Sequence, residues 1–262
     1  IFYFFFCYKP NMNTYQYHKK NEKIPPDGFD DPPAEEIDLP PGFHINISAK
    51  IEKELTKRSY TPLCVRKNQI ELLIKYYEKG TLTPLLNKLN VGDTVPVQIP
   101  FVTRGELPSN ERVHFDVTQD WSHICLVAGG TGITAVYQYL KYSLSKEMGR
   151  QNSKGEERKE SQFYLWNCNK TKGDVLLKNE LVGLSEKHPK RFHLKMNITQ
   201  PTEQKEEEEK EDKTGDYSTQ YNRFTFSDFQ QFFPKPSNKV GVLICGPIPF
   251  NDASRKIFLD LG

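Results

Sequence analysis

The pattern of apolar and polar positions changes character twice along the chain. The first eight residues, IFYFFFCY, are apolar throughout, and NTYQY follows at 13–17. Residues 19–41 are dense in Pro and charge and read as loop. From Gly42 a period of two sets in. Phe43, Ile45 and Ile47 alternate with His44, Asn46 and Ser48, as in a half-buried strand. Ile70, Leu72, Ile74 and Tyr76 repeat the pattern. Val95, Val97 and Ile99 do so again, with Pro96 assigning that strand to an edge or a bulge. The stretch PLLNKLN after Thr83 has room only for a short helix. Three or more strands and one short helix over about 100 residues predict a small antiparallel barrel or sandwich.

Beyond a boundary near Asp116–Asp120 the period changes. HICLVA (123–128) is a continuous apolar run ending in Gly-Gly-Thr-Gly, as buried parallel strands do. TAVYQYLKYSLSK reads as a helix, SQFYLWNC as a strand, and VLLKNELVGLSEK as a helix with Asp174 as its N-cap and Pro189 as its stop. RFHLKMNIT is a third strand and KVGVLICG (239–246) a fourth. A short helix starts at Ser227, and a last helix runs from about Asn251 to Leu261. The tract KEEEEKED (205–212) marks a solvated, disordered insertion over 201–220. Alternating strands and helices predict an α/β half with a parallel sheet.

Composition narrows the function. With 262 residues the chain is one large or two small domains. A mean hydropathy of -0.68 excludes an integral membrane protein as a whole. A net charge of +2 excludes a polybasic nucleic-acid binder. Five Cys without a C-x-x-C pair argue against a disulfide framework or a thiolate zinc site and for a reducing compartment. The six His, at 18, 44, 114, 123, 188 and 193, form no ligand pair, so no metal site is expected. The opening IFYFFFCY is far short of the roughly 20 residues that span a bilayer. It reads either as the tail of a membrane anchor, with Lys9, Lys19 and Lys20 as its cytosolic flank, or as a hydrophobic first strand.

Three motifs carry chemistry. AGGTGIT (128–134) follows a buried strand and opens a helix, so its glycines admit a ligand to the backbone and the helix start offers N–H groups to a phosphate. It is neither the six-residue dinucleotide fingerprint nor a P-loop. CGPIP (245–249) closes another parallel strand, where doubly wound sheets bind ligands. RSYTP (58–62) offers a guanidinium fork, a ring to stack and a hydroxyl. Each motif alone also fits a turn or a surface strand.

Together, in this order and spacing, they resemble the NADH-cytochrome b5 reductase family of the ferredoxin–NADP reductase superfamily, in a divergent, fungal-type form. LPPGFHINISAKIEKELTKRSYTPL is similar to that family's second and third barrel strands with their Arg-x-Tyr-Thr flavin motif. IELLIKYYEKGTLTPLLNKLNVGD is similar to its next strand, phosphate turn and helix. HICLVAGGTGIT, GDVLLKNEL and VLICGPIPF match its nucleotide loop, its Asp-Ile-Leu-Leu helix start and its Cys-Gly-Pro motif.

The resemblance implies a two-domain fold. A six-stranded antiparallel β-barrel binds FAD, and a Rossmann-like α/β domain with a parallel sheet follows and binds NADH or NADPH. By the same resemblance Arg58 pairs with the FAD pyrophosphate. Tyr60 and Thr61 contact the isoalloxazine, Thr61 near N5 as a catalytic residue, while Lys75 and Tyr77 lie on the strand facing flavin and nucleotide. Gly80 and Thr83 make the second phosphate turn, and Gly130, Thr131 and Gly132 bind the nucleotide pyrophosphate. Thr134 lies between flavin and nicotinamide; Cys245, the second catalytic residue, flanks the hydride-donating carbon together with Gly246 and Pro247.

The chain also departs from the family pattern. Ala135 stands where Pro is usual, and CGPIPF replaces Cys-Gly-Pro-Pro-Pro-Met. The loop between Tyr77 and Gly80 that covers the FAD adenine is almost absent, and the first barrel strand is degraded. Thr199 stands where NADH-selective members carry Asp. The resulting expectation is a flavin-dependent NAD(P)H oxidoreductase that passes hydride to FAD and single electrons to a haem protein such as cytochrome b5. The domains expected are an anchor remnant over 1–12, an FAD-binding barrel over 13–118 and an NAD(P)-binding domain over 119–262. A monomer on the cytosolic face of the endoplasmic reticulum or outer mitochondrial membrane, with no nucleic-acid partner, completes the expectation. The alternative is a non-catalytic scaffold on the same fold that has lost tight flavin binding.

Overall fold

The computed structural model describes residues 2–9, 14–19, 41–66, 69–90, 92–102, 121–146, 160–200 and 217–262. The acidic tract 205–212 and the expected boundary near 116–120 lie outside the described residues. The chain divides into two compact units, Ile1–Arg112 and Val113–Gly262.

The first unit contains β1 (Phe2–Lys9), β2 (Thr14–Lys19), β3 (Phe43–Ile51), β4 (Glu54–Tyr60), β5 (Pro62–Arg66), β6 (Gln69–Ile74), α1 (Thr83–Asn87), β7 (Thr94–Val95) and β8 (Val97–Val102). Two antiparallel sheets form, in the orders β5-β6-β1-β2-β7 and β4-β3-β8. Only Thr61 separates β4 from β5, and only Pro96 separates β7 from β8, so these two runs each pass from one sheet to the other. A proline has no N–H for a ladder, which makes residue 96 a natural corner. The alternation read from the sequence sets the core: Ile45 and Ile47 of β3 are fully buried with Ile70, Leu72 and Ile74 of β6, and Leu82, Leu86 and Val95 complete it.

The opening run, which reads either as an anchor remnant or as a hydrophobic first strand, forms a strand: Phe2–Lys9 is an inner strand of the larger sheet. It pairs with β2 from Phe4 opposite Lys19 to Lys9 opposite Thr14, and with β6 from Phe2 opposite Ile74 to Cys7 opposite Gln69. Pairing on both sides satisfies its backbone within the protein. Among the described residues no helix is long and apolar enough to cross a membrane.

The second unit contains β9 (His123–Gly129), a 3-10 turn (Gly130–Gly132), α2 (Ile133–Lys146), β10 (Gln162–Asn169), α3 (Lys178–Lys187), β11 (Phe192–Ile198), β12 (Tyr217–Gln220), α4 (Phe226–Phe232), β13 (Val240–Cys245) and α5 (Ile248–Leu261). All pairings are parallel, in the order β12-β11-β10-β9-β13. The chain builds outward from β9 and then returns to its other side, so the topological switch lies between the carboxyl ends of β9 and β13. Cys125, Val127, Trp166, Cys168, Phe229 and Phe233 form the core on one sheet face, against α4 and α5. Val136, Leu140, Phe163, Leu165 and Leu181 are fully buried elsewhere in the unit.

Three readings of this half change. A fifth strand, β12, occupies the end of the stretch expected as a disordered insertion over 201–220; residues 201–216 lie outside the described residues. Asp174 does not cap α3. It closes a capping box with Thr171 around the turn Lys172–Asp174, accepting from the Thr171 N–H and hydroxyl, and α3 starts after Leu177 in a left-handed conformation. Thr225, rather than Ser227, marks the start of α4, through a reciprocal box with Asp228.

Candidate functional site

In the first unit, Arg58 and Tyr60 lie on β4 opposite Ile47 and Ile45 of β3, and so share one face. Arg58 is exposed, and its guanidinium donates to the neighbouring Lys57 carbonyl at 2.9 Å. Burial pushes the Tyr60 phenol up to about 12, against a smaller downward pull from the Arg58 charge. Tyr60 is therefore a neutral hydrogen-bond donor at physiological pH. Thr61 follows, half-buried, at the passage between the two sheets.

After β6 the chain turns tightly. The Thr83 hydroxyl donates to the Tyr77 carbonyl at 2.9 Å and accepts from the Tyr77 N–H at 3.2 Å, and the Gly80 N–H donates to the same carbonyl at 2.9 Å. A Cβ on Gly80 would lie 2.6 Å from the Thr83 hydroxyl, so this glycine is demanded by the turn itself. The resemblance gave Gly80 and Thr83 to a phosphate; the structure engages the Thr83 proton in closing the turn. The Lys75 ammonium lies 5.8 Å from the centre of the exposed Tyr77 ring.

In the second unit the turn after β9 is shaped by its glycines in two different ways. Gly130 has φ +55, and a Cβ there would meet nothing within 4 Å among the described residues. A Cβ on Gly132 would fall 2.0 Å from the Cys245 carbonyl oxygen and 2.4 Å from its carbon. Gly132 is thus set by the close approach of the turn to the end of β13, and Gly130 offers an open backbone. Thr131 is half-buried between them, and its carbonyl accepts from the Thr134 hydroxyl at 3.0 Å. Thr134 is only 8% exposed, so it props the turn from within. The 14-residue helix α2 starts immediately after, with no acidic residue in its first turn.

The Cys245 thiol is pushed up by burial and stays protonated, which suits a neutral packing group rather than a nucleophile. Gly246 and Pro247 lead directly into α5, and the Pro247 carbonyl accepts from the N–H groups of Phe250 and Asn251. Thr199, just past β11, donates its hydroxyl to the Asn169 carbonyl at 3.3 Å, and its N–H binds the same oxygen at 2.9 Å. Lys195 holds its ammonium 4.5 Å from the centre of the Trp166 ring.

Two residues at this end of the sheet escaped the motif reading. Phe250 packs on both Gly129 and Gly246. Asn169 is almost fully buried, donates to the Asn167 side chain at 3.2 Å and has a buried side-chain oxygen with no partner among the described residues. The replacement of Met by Phe in CGPIPF was the available signal for Phe250. For Asn169 the signal was a buried-strand pattern ending on a polar residue at the ligand end of a parallel strand.

The chain is similar to known proteins. Residues 29–104 match the oxidoreductase FAD-binding domain, and residues 126–256, half of the chain, match the oxidoreductase NAD-binding domain. NADH-cytochrome b5 reductase 1 of Eremothecium gossypii is 30% identical over 229 residues, covering 86% of this chain and 69% of that protein. The chain belongs to the NADH-cytochrome b5 reductase family. NADH-cytochrome b5 reductase 2 of Homo sapiens is 27% identical over 238 residues, covering 83% of this chain and 77% of that protein. The crystal structure of the cytochrome b5 reductase domain of Ulva prolifera nitrate reductase superposes with a TM-score of 0.67 at 22% identity, over 99% of this chain and 92% of that one. The expected two-domain architecture, an FAD-binding domain followed by an NAD-binding domain, is therefore that of the protein.

FAD and NADH are the cofactor and co-substrate of this architecture. The residues present fit both. An exposed guanidinium with one local hydrogen bond suits a pyrophosphate, and a neutral phenol on the same strand face suits a flavin edge. The open, left-handed Gly130 at the start of α2 suits the phosphates of a nucleotide.

Proposed function

We propose that the protein takes hydride from NADH onto FAD and passes single electrons to a haem-protein acceptor of the cytochrome b5 type. The observation that carries the reading is the pair of preformed elements on one chain: Arg58 and Tyr60 on one face of β4, and the Gly130–Gly132 turn interlocked with Cys245. When bound, the flavin supplies the chemistry that converts a two-electron donor into one-electron steps. The protein's own part is binding and orientation. Arg58 neutralises the flavin diphosphate, and Tyr60 donates from a phenol that stays protonated. Thr61 presents its hydroxyl at the bend between sheets. Gly130 admits the nucleotide phosphates to the backbone while Thr134 holds the turn in shape. Cys245 contributes a neutral, partly buried thiol beside that turn.

The acceptor is proposed from the names of the relatives, which are cytochrome b5 reductases. Action at the cytosolic face of a membrane, as a monomer, belongs to the same proposal. Free thiols at Cys125, Cys168 and Cys245 support a reducing compartment.

The test begins with the purified protein, which is expected to be yellow and to bleach on anaerobic addition of NADH. Arg58→Ala should weaken FAD binding by roughly tenfold or more, since a hydrogen bond to a charged group contributes about 1.5–3 kcal/mol. A colourless protein that stays apo in excess FAD would instead establish the scaffold reading.

A further inference from the structure

Two glycines at the carboxyl end of the parallel sheet are dictated by one ring. A Cβ on Gly129, the last residue of β9, would lie 2.8 Å from Cδ1 of Phe250 and 2.9 Å from Cε1 and Cγ. A Cβ on Gly246, just past β13, would lie 2.6 Å from Cδ1 of the same ring and 3.1 Å from the Gly129 Cα. Phe250 is the third residue of α5, anchored by its N–H to the Pro247 carbonyl at 2.9 Å. The ring also meets Phe224 edge-on, with centroids 5.8 Å apart, and Phe224 stacks on the fully buried Phe229 at 5.1 Å. Beside this contact, Gly132 rests against the Cys245 carbonyl. The ring, the glycines and both turns are thus one packed unit at the topological switch.

We infer that Phe250 is a positioning residue for the nucleotide: its ring sets the separation of the Gly130–Gly132 and Cys245–Pro247 turns and so preforms the cradle before NADH arrives. The inference rests on the assignment of nucleotide binding to these turns. A ligand that enters a preformed site loses less binding energy to ordering it. Without the ring, the two turns keep the β9–β13 pairing, up to Ala128 opposite Cys245, and the backbone contact of Gly132 with Cys245, but Gly129 and Gly246 gain freedom that binding must remove. The expected signature is a loss of nucleotide affinity larger than the loss of stability accounts for. A flat ring is not required as such. An unbranched thioether of similar bulk fills the same space, so Met serves in its place.

The control lies on the same helix. Phe258 is two turns further along α5 and packs on Phe229 at 5.3 Å and Phe233 at 5.2 Å, within the same aromatic core but among residues other than the two glycines. The experiment uses the full FAD-loaded chain and reads NAD+ binding by titration calorimetry, the melting temperature, and the split of KM and kcat with NADH. Phe250→Ala is expected to weaken NAD+ binding at least tenfold and to raise KM in proportion, with kcat changed less than twofold. Phe258→Ala is expected to lower the melting temperature comparably while changing affinity less than twofold, and Phe250→Met to restore affinity within threefold. Equal loss of affinity in the two alanine variants, or unchanged affinity in Phe250→Ala, overturns the inference alone. If Phe250→Ala fails to fold, Phe250→Leu is read in its place: threefold weaker binding supports the inference and unchanged binding refutes it. Failure of the unaltered protein to bind NAD+ removes the proposed function, and the inference with it.

Discussion

Gly130 and Gly132 sit in one turn, yet the structure predicts opposite consequences for adding a methyl group to each. At Gly132 the new methyl carbon would lie 2.4 Å from the Cys245 carbonyl carbon and 2.8 Å from the Gly246 nitrogen. Carbon contacts are optimal at about 3.5–4.0 Å, so main chain must move by roughly 1 Å. No flexible side-chain end is available to yield, because all three nearest atoms are backbone. Overpacking costs about 1–3 kcal/mol even where side chains adjust, so Gly132→Ala should cost at least about 3 kcal/mol. At roughly 2–4 °C per kcal/mol for a chain of this size, the melting temperature should fall by roughly 6–12 °C. At Gly130 the methyl group meets nothing, and the cost is that of a left-handed φ of 55°. That is about 1–2 kcal/mol, offset by about 0.4–1 kcal/mol from a less flexible unfolded chain. Gly130→Ala should therefore melt within roughly 6 °C of the unaltered protein, above Gly132→Ala. It should nonetheless bind NAD+ less tightly, because its Cβ stands on the open side of the backbone. Thermal melts followed by circular dichroism, with NAD+ titrations on the folded variants, decide the matter. A Gly132→Ala protein as stable as Gly130→Ala would mean that the turn and the end of β13 are not in contact, contrary to this prediction.

Three further outcomes are expected. The β3–β4 hairpin turns through Glu52 (φ 47) and Lys53 (φ 77), where Asn-Gly is the favoured pair; E52N/K53G should raise stability by about 1–2 kcal/mol, and an unchanged melt would show the turn to be unstrained. His193 stacks on Tyr164 at 4.6 Å, and burial, then the nearby His123, hold its pKa below the ordinary value. The folded state therefore prefers the neutral ring, so this contribution is fully present above about pH 6.5 and is lost as pH falls through the lower folded value; denaturant midpoints should drop more between pH 7.5 and 5.5 for the unaltered protein than for His193→Gln, and equal drops would assign the effect elsewhere. Thr199→Asp should raise the ratio of kcat/KM for NADH over NADPH at least tenfold, chiefly by repelling a 2′-phosphate, and an unaltered protein that already prefers NADH a thousandfold would locate discrimination at other residues.

Elements whose pattern is local could be read from the residues alone. Phe43, Ile45 and Ile47 alternate because one side of β3 faces a core, and Ile45 and Ile47 are fully buried. HICLVA is continuously apolar because β9 is covered on both faces between β10 and β13. The order of RSYTP, AGGTGIT and CGPIP was enough to point to an FAD-binding unit followed by an NAD-binding unit, since each motif lies at the end of a strand that local residues specify. What the tertiary structure decided are the partners that lie far apart in sequence. Nothing in IFYFFFCY states that Phe2 pairs with Ile74; the apolar run fits an anchor or a strand until β6 is beside it. Asp174 had the chemistry of a helix cap, but Thr171 three residues earlier takes its carboxylate first. Gly80 and Thr83 read as parts of a phosphate turn, but only the fold shows that the Thr83 hydroxyl closes that turn on the Tyr77 carbonyl, at 2.9 Å. The reason is physical. A motif records which atoms are available, whereas hydrogen bonding and exclusion depend on distance. Gly132 is glycine because Cys245, 113 positions along the chain, comes to lie against it in the folded sheet.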